Sequence, residues 1–100
     1  TRKGALIQFV PTHKRAWHAG ISKYKGKENC NDFSIGIELE GCDDEEFENS
    51  QYQSLSRLIN FLSIDLKINK KNIVGHADIA PGRKTDPGPL FDWTLLQSML

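Results

Sequence analysis

Phe33-Ser34-Ile35-Gly36-Ile37-Glu38-Leu39-Glu40 alternates between two kinds of side chain, and its β-branched Ile35 and Ile37 suit a pleated backbone. Successive strand side chains point to opposite faces, so residues 35, 37 and 39 share one face while Ser34, Gly36, Glu38 and Glu40 share the other. We read this stretch as the internal strand of a sheet, with Gly36 and Gly41 marking places where the backbone bends or is closely approached. Two acids on one face are unusual for a sheet covered on both sides. Upstream, Ala5 to Val10 reads as a second strand, and Thr1-Arg2-Lys3-Gly4 as the turn of a hairpin whose first strand would precede Thr1. An edge of the sheet is therefore expected to be unpaired.

Downstream, Tyr52, Leu55, Leu58, Ile59, Leu62 and Leu66 recur at three- and four-residue steps, which predicts an amphipathic helix over Ser50 to Leu66 with a capping box of Ser50 and Gln53. Ile73 and Val74 read as a short buried strand, Gly75 to Pro89 as an irregular run rich in Pro and Gly, and Asp92 to Leu100 as a closing helix. The order implies a mixed α/β domain with helices packed on a sheet.

At 100 residues and 38% apolar content, the chain is one domain at most. Its 13 basic and 13 acidic residues cancel, so there is no net field to gather nucleic acid or an anionic membrane. No apolar run approaches the roughly 18 residues of a membrane span, and the start lacks the order of a secretory signal. Because the chain opens at Thr1 and enters a strand at once, an upstream portion is expected. Cys30 and Cys42 are too few for a disulfide framework and not spaced as a zinc knuckle; we read both as reduced thiols in a reducing compartment, with a disulfide between them left open.

The run Gly75-His76-Ala77-Asp78-Ile79-Ala80-Pro81-Gly82-Arg83-Lys84-Thr85-Asp86-Pro87-Gly88-Pro89 gathers an imidazole, two carboxylates and two cations in a proline-stiffened loop, the kind of place where sites are built. His76 leaving a strand end, with Asp86 brought back by a turn, can supply two ligands to one zinc ion. Pattern alone equally allows a packed His and an Asp that caps the last helix or the Pro turn. Glu38 near a metal could take a proton from water and return it to a leaving amine, or could point to solvent on an uncovered strand face. Lys84 could stabilise an oxyanion or be a solvated charge. Trp17, His18 and Tyr24 could wall a sugar or peptide site, and Trp17 could equally be core.

Three blocks together carry a resemblance: Lys14-Arg15-Ala16-Trp17-His18-Ala19-Gly20, then Cys30 to Gly41, then Gly75 to Pro89 with Phe91-Asp92-Trp93. In order and register they closely resemble the AmpD-type zinc amidases, cytosolic 1,6-anhydro-N-acetylmuramoyl-L-alanine amidases whose fold is shared with the peptidoglycan recognition proteins and a bacteriophage lysozyme. The resemblance implies a central mixed β-sheet flanked by helices, with residues 1–100 forming the C-terminal two-thirds of a single domain. It implies zinc as cofactor, with His76 and Asp86 as ligands and Asp78 as a loop-structuring residue. Glu38 is then the catalytic acid/base, Lys84 the group that steadies the carbonyl oxygen, and Trp17 and Arg83 line the substrate groove, where Arg83 could hold a peptide carboxylate by a bidentate pair. It further implies a first zinc-binding His on a strand upstream of Thr1, a position that neither His13 nor His18 occupies; with two of three protein ligands, the chain by itself is expected to bind metal weakly. The expected reaction cuts the amide between (anhydro-)N-acetylmuramic acid and L-alanine in muropeptides, in cytoplasmic cell-wall recycling. No nucleic-acid or membrane partner is expected, and the complete protein is expected to be a monomer. The rival reading is a non-catalytic peptidoglycan-binding module, to which the joint presence of His76, Asp86, Glu38 and Lys84 is foreign.

Overall fold

A computed structural model describes all residues 1–100. The long helix α1 spans Asn49–Asp65, within a residue of the stretch the apolar spacing predicts. Its cap differs from expectation. The backbone N–H of Glu48 donates to Gln51 Oε1 at 2.8 Å, while the Ser50 hydroxyl is drawn away to donate to the Arg2 carbonyl at 2.6 Å. The capping pair therefore sits two residues earlier than Ser50 and Gln53.

One face of α1 buries Tyr52, Leu55 and Ile59 against Phe91 and Leu96, with Leu39, Phe47, Ile73, Trp93 and Leu95 packed around them. Phe91 is the hub of this core. Its ring meets Phe47 edge-on at 5.6 Å, Trp93 edge-on at 4.8 Å and Tyr52 at 5.3 Å, geometries that aromatic quadrupoles favour. Leu96 belongs to the last helix, Trp93–Met99, whose N-terminus is capped by Asp92 accepting from the Leu95 N–H at 2.9 Å. A one-turn helix, His76–Ile79, opens the Pro/Gly-rich loop that was expected to be wholly irregular. We call these helices α3 (Trp93–Met99) and α2 (His76–Ile79).

The α/β class holds, with the strands distributed otherwise than the residue pattern suggests. The hydrogen-bonded sheet is a tight hairpin of β1 (Lys23–Tyr24) and β2 (Lys27–Glu28), pairing Lys23 with Glu28. Residues 5–10 and 33–40, expected as strands, join no ladder; their main-chain bonds are those of the Thr1 amino group to the Ala5 carbonyl at 2.9 Å and of the Phe33 N–H to the Cys30 carbonyl at 3.2 Å. Ile73 and Val74 likewise follow a short 3-10 turn, Lys70–Asn72, without joining a ladder. Strand composition sets a preference, but a ladder needs a partner in register, and these segments find none.

Side chains bind them instead. Gln51, 2% exposed, donates from Nε2 to the Glu40 carbonyl at 2.8 Å, and the Ser54 hydroxyl donates to the Gly4 carbonyl at 2.6 Å. The Arg2 N–H donates to Glu40 Oε2 at 2.9 Å, which closes the triangle between the first turn, the 34–41 segment and α1. Gly4 fits here only as glycine, because its φ is +85° and a Cβ would lie 2.8 Å from the Ser50 carbonyl oxygen.

Cys30 is buried, Cys42 exposed, and both are free thiols. The Cys42 thiol donates to Asp44 Oδ1 at 3.0 Å; that hydrogen bond raises the thiol's pKa and lowers that of the carboxyl. No helix is long and apolar enough to cross a membrane.

Candidate metal and active site

The site is built around the turn from α2 into the following loop. Ala80 N–H bonds the His76 carbonyl, and the N–H groups of Arg83 and Lys84 both bond the Ala80 carbonyl at 3.1 and 3.0 Å, so the chain folds back over α2. The Ala77 N–H then bonds the Asp86 carbonyl at 3.0 Å, which brings residue 86 beside residue 76. Gly75 makes room for this return, since a Cβ there would lie 2.8 Å from Pro87 Cδ. Asp78 braces the entry by accepting the Gly75 N–H on Oδ2 at 2.8 Å.

The result is a convergence of two donors. His76 Nδ1 lies 3.2 Å from Asp86 Oδ2, and His76 Nε2 lies 2.9 Å from the Ala19 carbonyl oxygen. A carbonyl can only accept, so Nε2 donates to it, while Nδ1 faces a carboxylate oxygen. A proton on Nδ1 bridges that separation as an ion pair, and so would a metal cation. Ligand atoms at the usual 2.0–2.1 Å from a tetrahedral zinc lie about 3.3 Å apart, close to the separation found here. The residues present therefore fit half of such a site. No third His, Cys, Asp or Glu joins them in a cluster that could hold a metal ion.

The His18 ring lies against Gly36, where a Cβ would be 2.6 Å from His18 Cγ, and its Nε2 is 3.4 Å from the Ser34 hydroxyl. Ala19, the next residue, is the one whose carbonyl meets His76, so the 34–40 segment is tied to the site through His18. Glu38 lies on that segment, two residues beyond Gly36, and is exposed. Ile37 and Leu39 line a hollow with Leu55 and Leu58 of α1.

Lys84 is exposed, and no carboxylate pairs with its ammonium. Trp17 is 83% exposed, with the Arg15 guanidinium stacked on one face at 3.8 Å and the other face open. Arg83 forms no ion pair with a carboxylate. Its Nε and Nη2 donate to the Ile21 carbonyl at 3.2 and 2.8 Å, and Nη2 also donates to the Ala19 carbonyl at 2.7 Å.

Sequence reasoning passed over two residues that shape the site. Asn31, only 6% exposed, accepts the His18 and Ala19 N–H groups on Oδ1 at 2.9 and 2.7 Å. Asp43 accepts the Thr85 hydroxyl at 2.6 Å, and a Cβ on Gly88 would lie 2.7 Å from its Oδ1, so it braces the loop that carries Asp86. Both act on backbone or hydroxyl groups, which leave no motif; a polar residue at the edge of an apolar run was the one available signal for Asn31.

A family profile described as N-acetylmuramoyl-L-alanine amidase matches residues 1–89. The chain belongs to the N-acetylmuramoyl-L-alanine amidase family. Among curated amidases it is 54% identical over 99 residues to the 1,6-anhydro-N-acetylmuramyl-L-alanine amidase AmpD of Enterobacter cloacae, covering 99% of this chain and 53% of that protein. The crystal structure of a selenomethionine AmpD derivative superposes with a TM-score of 0.96 at 52% identity, over 99% of this chain and 55% of that one. The amidase AmiD of E. coli, solved with the substrate anhydro-N-acetylmuramic acid-L-Ala-D-gamma-Glu-L-Lys, gives a TM-score of 0.88 at 44% identity over 93% of this chain and 40% of that one. The chain thus spans about half the length of the curated amidases it matches. The backbone path described above is therefore closely similar to that of AmpD over 99% of this chain.

Proposed function

We propose that the protein hydrolyses the amide bond between (anhydro-)N-acetylmuramic acid and L-alanine in cell-wall muropeptides, with His76 and Asp86 as ligands to zinc, and that it does so in peptidoglycan recycling in the cytoplasm. The observation that carries this reading is the approach of His76 Nδ1 to within 3.2 Å of Asp86 Oδ2, with Nε2 anchored on a carbonyl. Family membership supports the cofactor, since these amidases are generally zinc-dependent. The substrate named in the AmiD complex supports the substrate class.

When bound, zinc supplies Lewis acidity, which lowers the pKa of water and polarises a carbonyl oxygen. Glu38 acts as the base, taking the proton of the attacking water as the new C–O bond forms at the lactyl carbonyl carbon. Lys84, exposed and unpaired with any carboxylate, offers its ammonium to the negative charge gathering on the carbonyl oxygen. As the C–N bond breaks, Glu38 returns its proton to the departing L-alanine amine. The immediate products are the muramic carboxylic acid and the free peptide amine; at neutral pH the acid proton passes to that amine, so they leave as a carboxylate and an ammonium. Trp17, with one face open, provides a flat apolar wall for the sugar or peptide. The muropeptide is the only partner the mechanism needs, and the complete enzyme works as a monomer.

The test is hydrolysis of an anhydro-N-acetylmuramoyl tripeptide by zinc-loaded protein, wild type beside Glu38→Gln. The wild type should release peptide; the variant should keep its zinc and lose about a hundred- to ten-thousand-fold in turnover, the usual contribution of a general base. Full turnover in the variant removes Glu38 from the mechanism. Muropeptide binding without turnover by the zinc-loaded wild type would instead mark a recognition module.

A further inference from the structure

We infer that Arg83 is a positioning residue for His76, acting through the main chain of the Ala19–Ile21 turn; the inference rests on reading His76 as a metal ligand. The Ala19 carbonyl receives two hydrogen bonds, from His76 Nε2 at 2.9 Å and from Arg83 Nη2 at 2.7 Å. The same guanidinium grips the Ile21 carbonyl through Nε and Nη2. One planar cation therefore spans the first and third carbonyls of the turn, and the first of them, that of Ala19, fixes the imidazole.

Gly20, between the two carbonyls, is what lets the guanidinium sit there. Its φ is +62°, and a Cβ would lie 3.0 Å from Arg83 Nη2 and 3.3 Å from Nη1. The opposite side of the turn is held independently. Asn31 Oδ1 accepts the His18 and Ala19 N–H groups, and the Ser22 hydroxyl donates to the Gly20 carbonyl at 3.0 Å. Asn31 thus fixes the amide side of the turn, and Arg83 fixes the carbonyl side toward α2.

The consequence for His76 is a choice of ring nitrogen. With the Ala19 carbonyl held in place, the proton belongs on Nε2 and the lone pair on Nδ1 faces Asp86. Partners of this kind, one bond removed from a metal, commonly decide ligand orientation and affinity. Arg83 belongs to the same folded-back loop as Asp86, because its N–H shares the Ala80 carbonyl with that of Lys84. It therefore references the imidazole and the carboxylate to one another.

This role competes with a bidentate grip on a substrate carboxylate. Three of the five guanidinium N–H groups, including both on Nη2, are spent on backbone carbonyls, so neither forked face is free.

Arg83→Ala, Arg83→Lys and Gly20→Ala distinguish the two. In metal-free protein at a pH where the ring is neutral, nitrogen NMR of His76 should show the Nε2–H form in the wild type and a mixture of tautomers in Arg83→Ala and Gly20→Ala, with Arg83→Lys between them. Zinc affinity by chelator competition should fall about tenfold or more in the first two variants. In zinc-saturated protein KM for the muropeptide should be nearly unchanged. An unaltered tautomer and unaltered zinc affinity in all three overturn the inference, and a raised KM beside them would make Arg83 a substrate contact. A tautomer shift in protein whose wild type takes up no zinc upholds the positioning of His76 and refutes its reading as a ligand.

Discussion

Asp78 accepts the Gly75 N–H and closes the first turn of α2, whereas Asp86 turns its carboxylate to the His76 ring. Asp78 lies in α2 and Asp86 in the loop beyond it, yet in sequence both sit among Pro and Gly and no local pattern separates them; the resemblance of the whole block is what assigns their roles. Their substitutions should part cleanly. Asp86→Ala is expected to lose zinc under conditions where Asp78→Ala retains it, as measured by metal content after dialysis, because only the former removes the carboxylate proposed as a ligand. Asp78→Ala should instead lower stability by about 1 kcal/mol in urea unfolding, the usual net worth of one hydrogen bond. Stoichiometric zinc in Asp86→Ala would transfer the ligand role elsewhere. Arg83 marks the limit of reading residues by type. A guanidinium suggests a carboxylate partner, yet its partners are main-chain carbonyls of Ala19 and Ile21, which no sequence spacing announces.

Among elements, α1 was legible because helical periodicity is local: each apolar residue meets its neighbours three and four positions away, whatever the rest of the chain does. Its cap was not, because Ser50 is claimed by Arg2 from far along the chain. Strands fare worse for the same reason. Residues 33–40 have the right alternation and residues 5–10 are mostly apolar, but pairing is a property of two segments, and here side chains of α1 do the tethering. The junction of α1 with α3 gives a direct test. The Tyr52 hydroxyl accepts the Asp92 N–H at 2.8 Å, at the residue that caps α3. Tyr52→Phe keeps the ring against Phe91 and strands that N–H, so stability should fall by about 1–2 kcal/mol in chemical denaturation. An unchanged midpoint would mean that water replaces the hydroxyl at no cost.

For the molecule as a whole, the mixed α/β class was readable from the order of apolar periods, and the lack of net charge from composition alone. Charge balance matters together with the unpaired segments. Leu6, Ile7 and Phe9 are 65%, 61% and 87% exposed on a stretch whose backbone bonds to no other strand, and a net charge of zero provides no repulsion between copies. The 100-residue chain should therefore associate with rising concentration in sedimentation runs, and Ile7→Lys with Phe9→Lys should suppress this; a chain that stays monomeric at millimolar concentration would refute it. The site itself is assembled over two very different chain distances. The His76–Asp86 pair closes a separation of 10 residues, while the Arg83 grip on Ala19 closes one of 64. By loop-closure entropy the first is roughly 1.6 kcal/mol easier to bring together. By chain distance alone, then, the imidazole and carboxylate can meet within their own loop before the distant N-terminal turn arrives to orient the ring, so that pairing and alignment draw on separate closures of the chain.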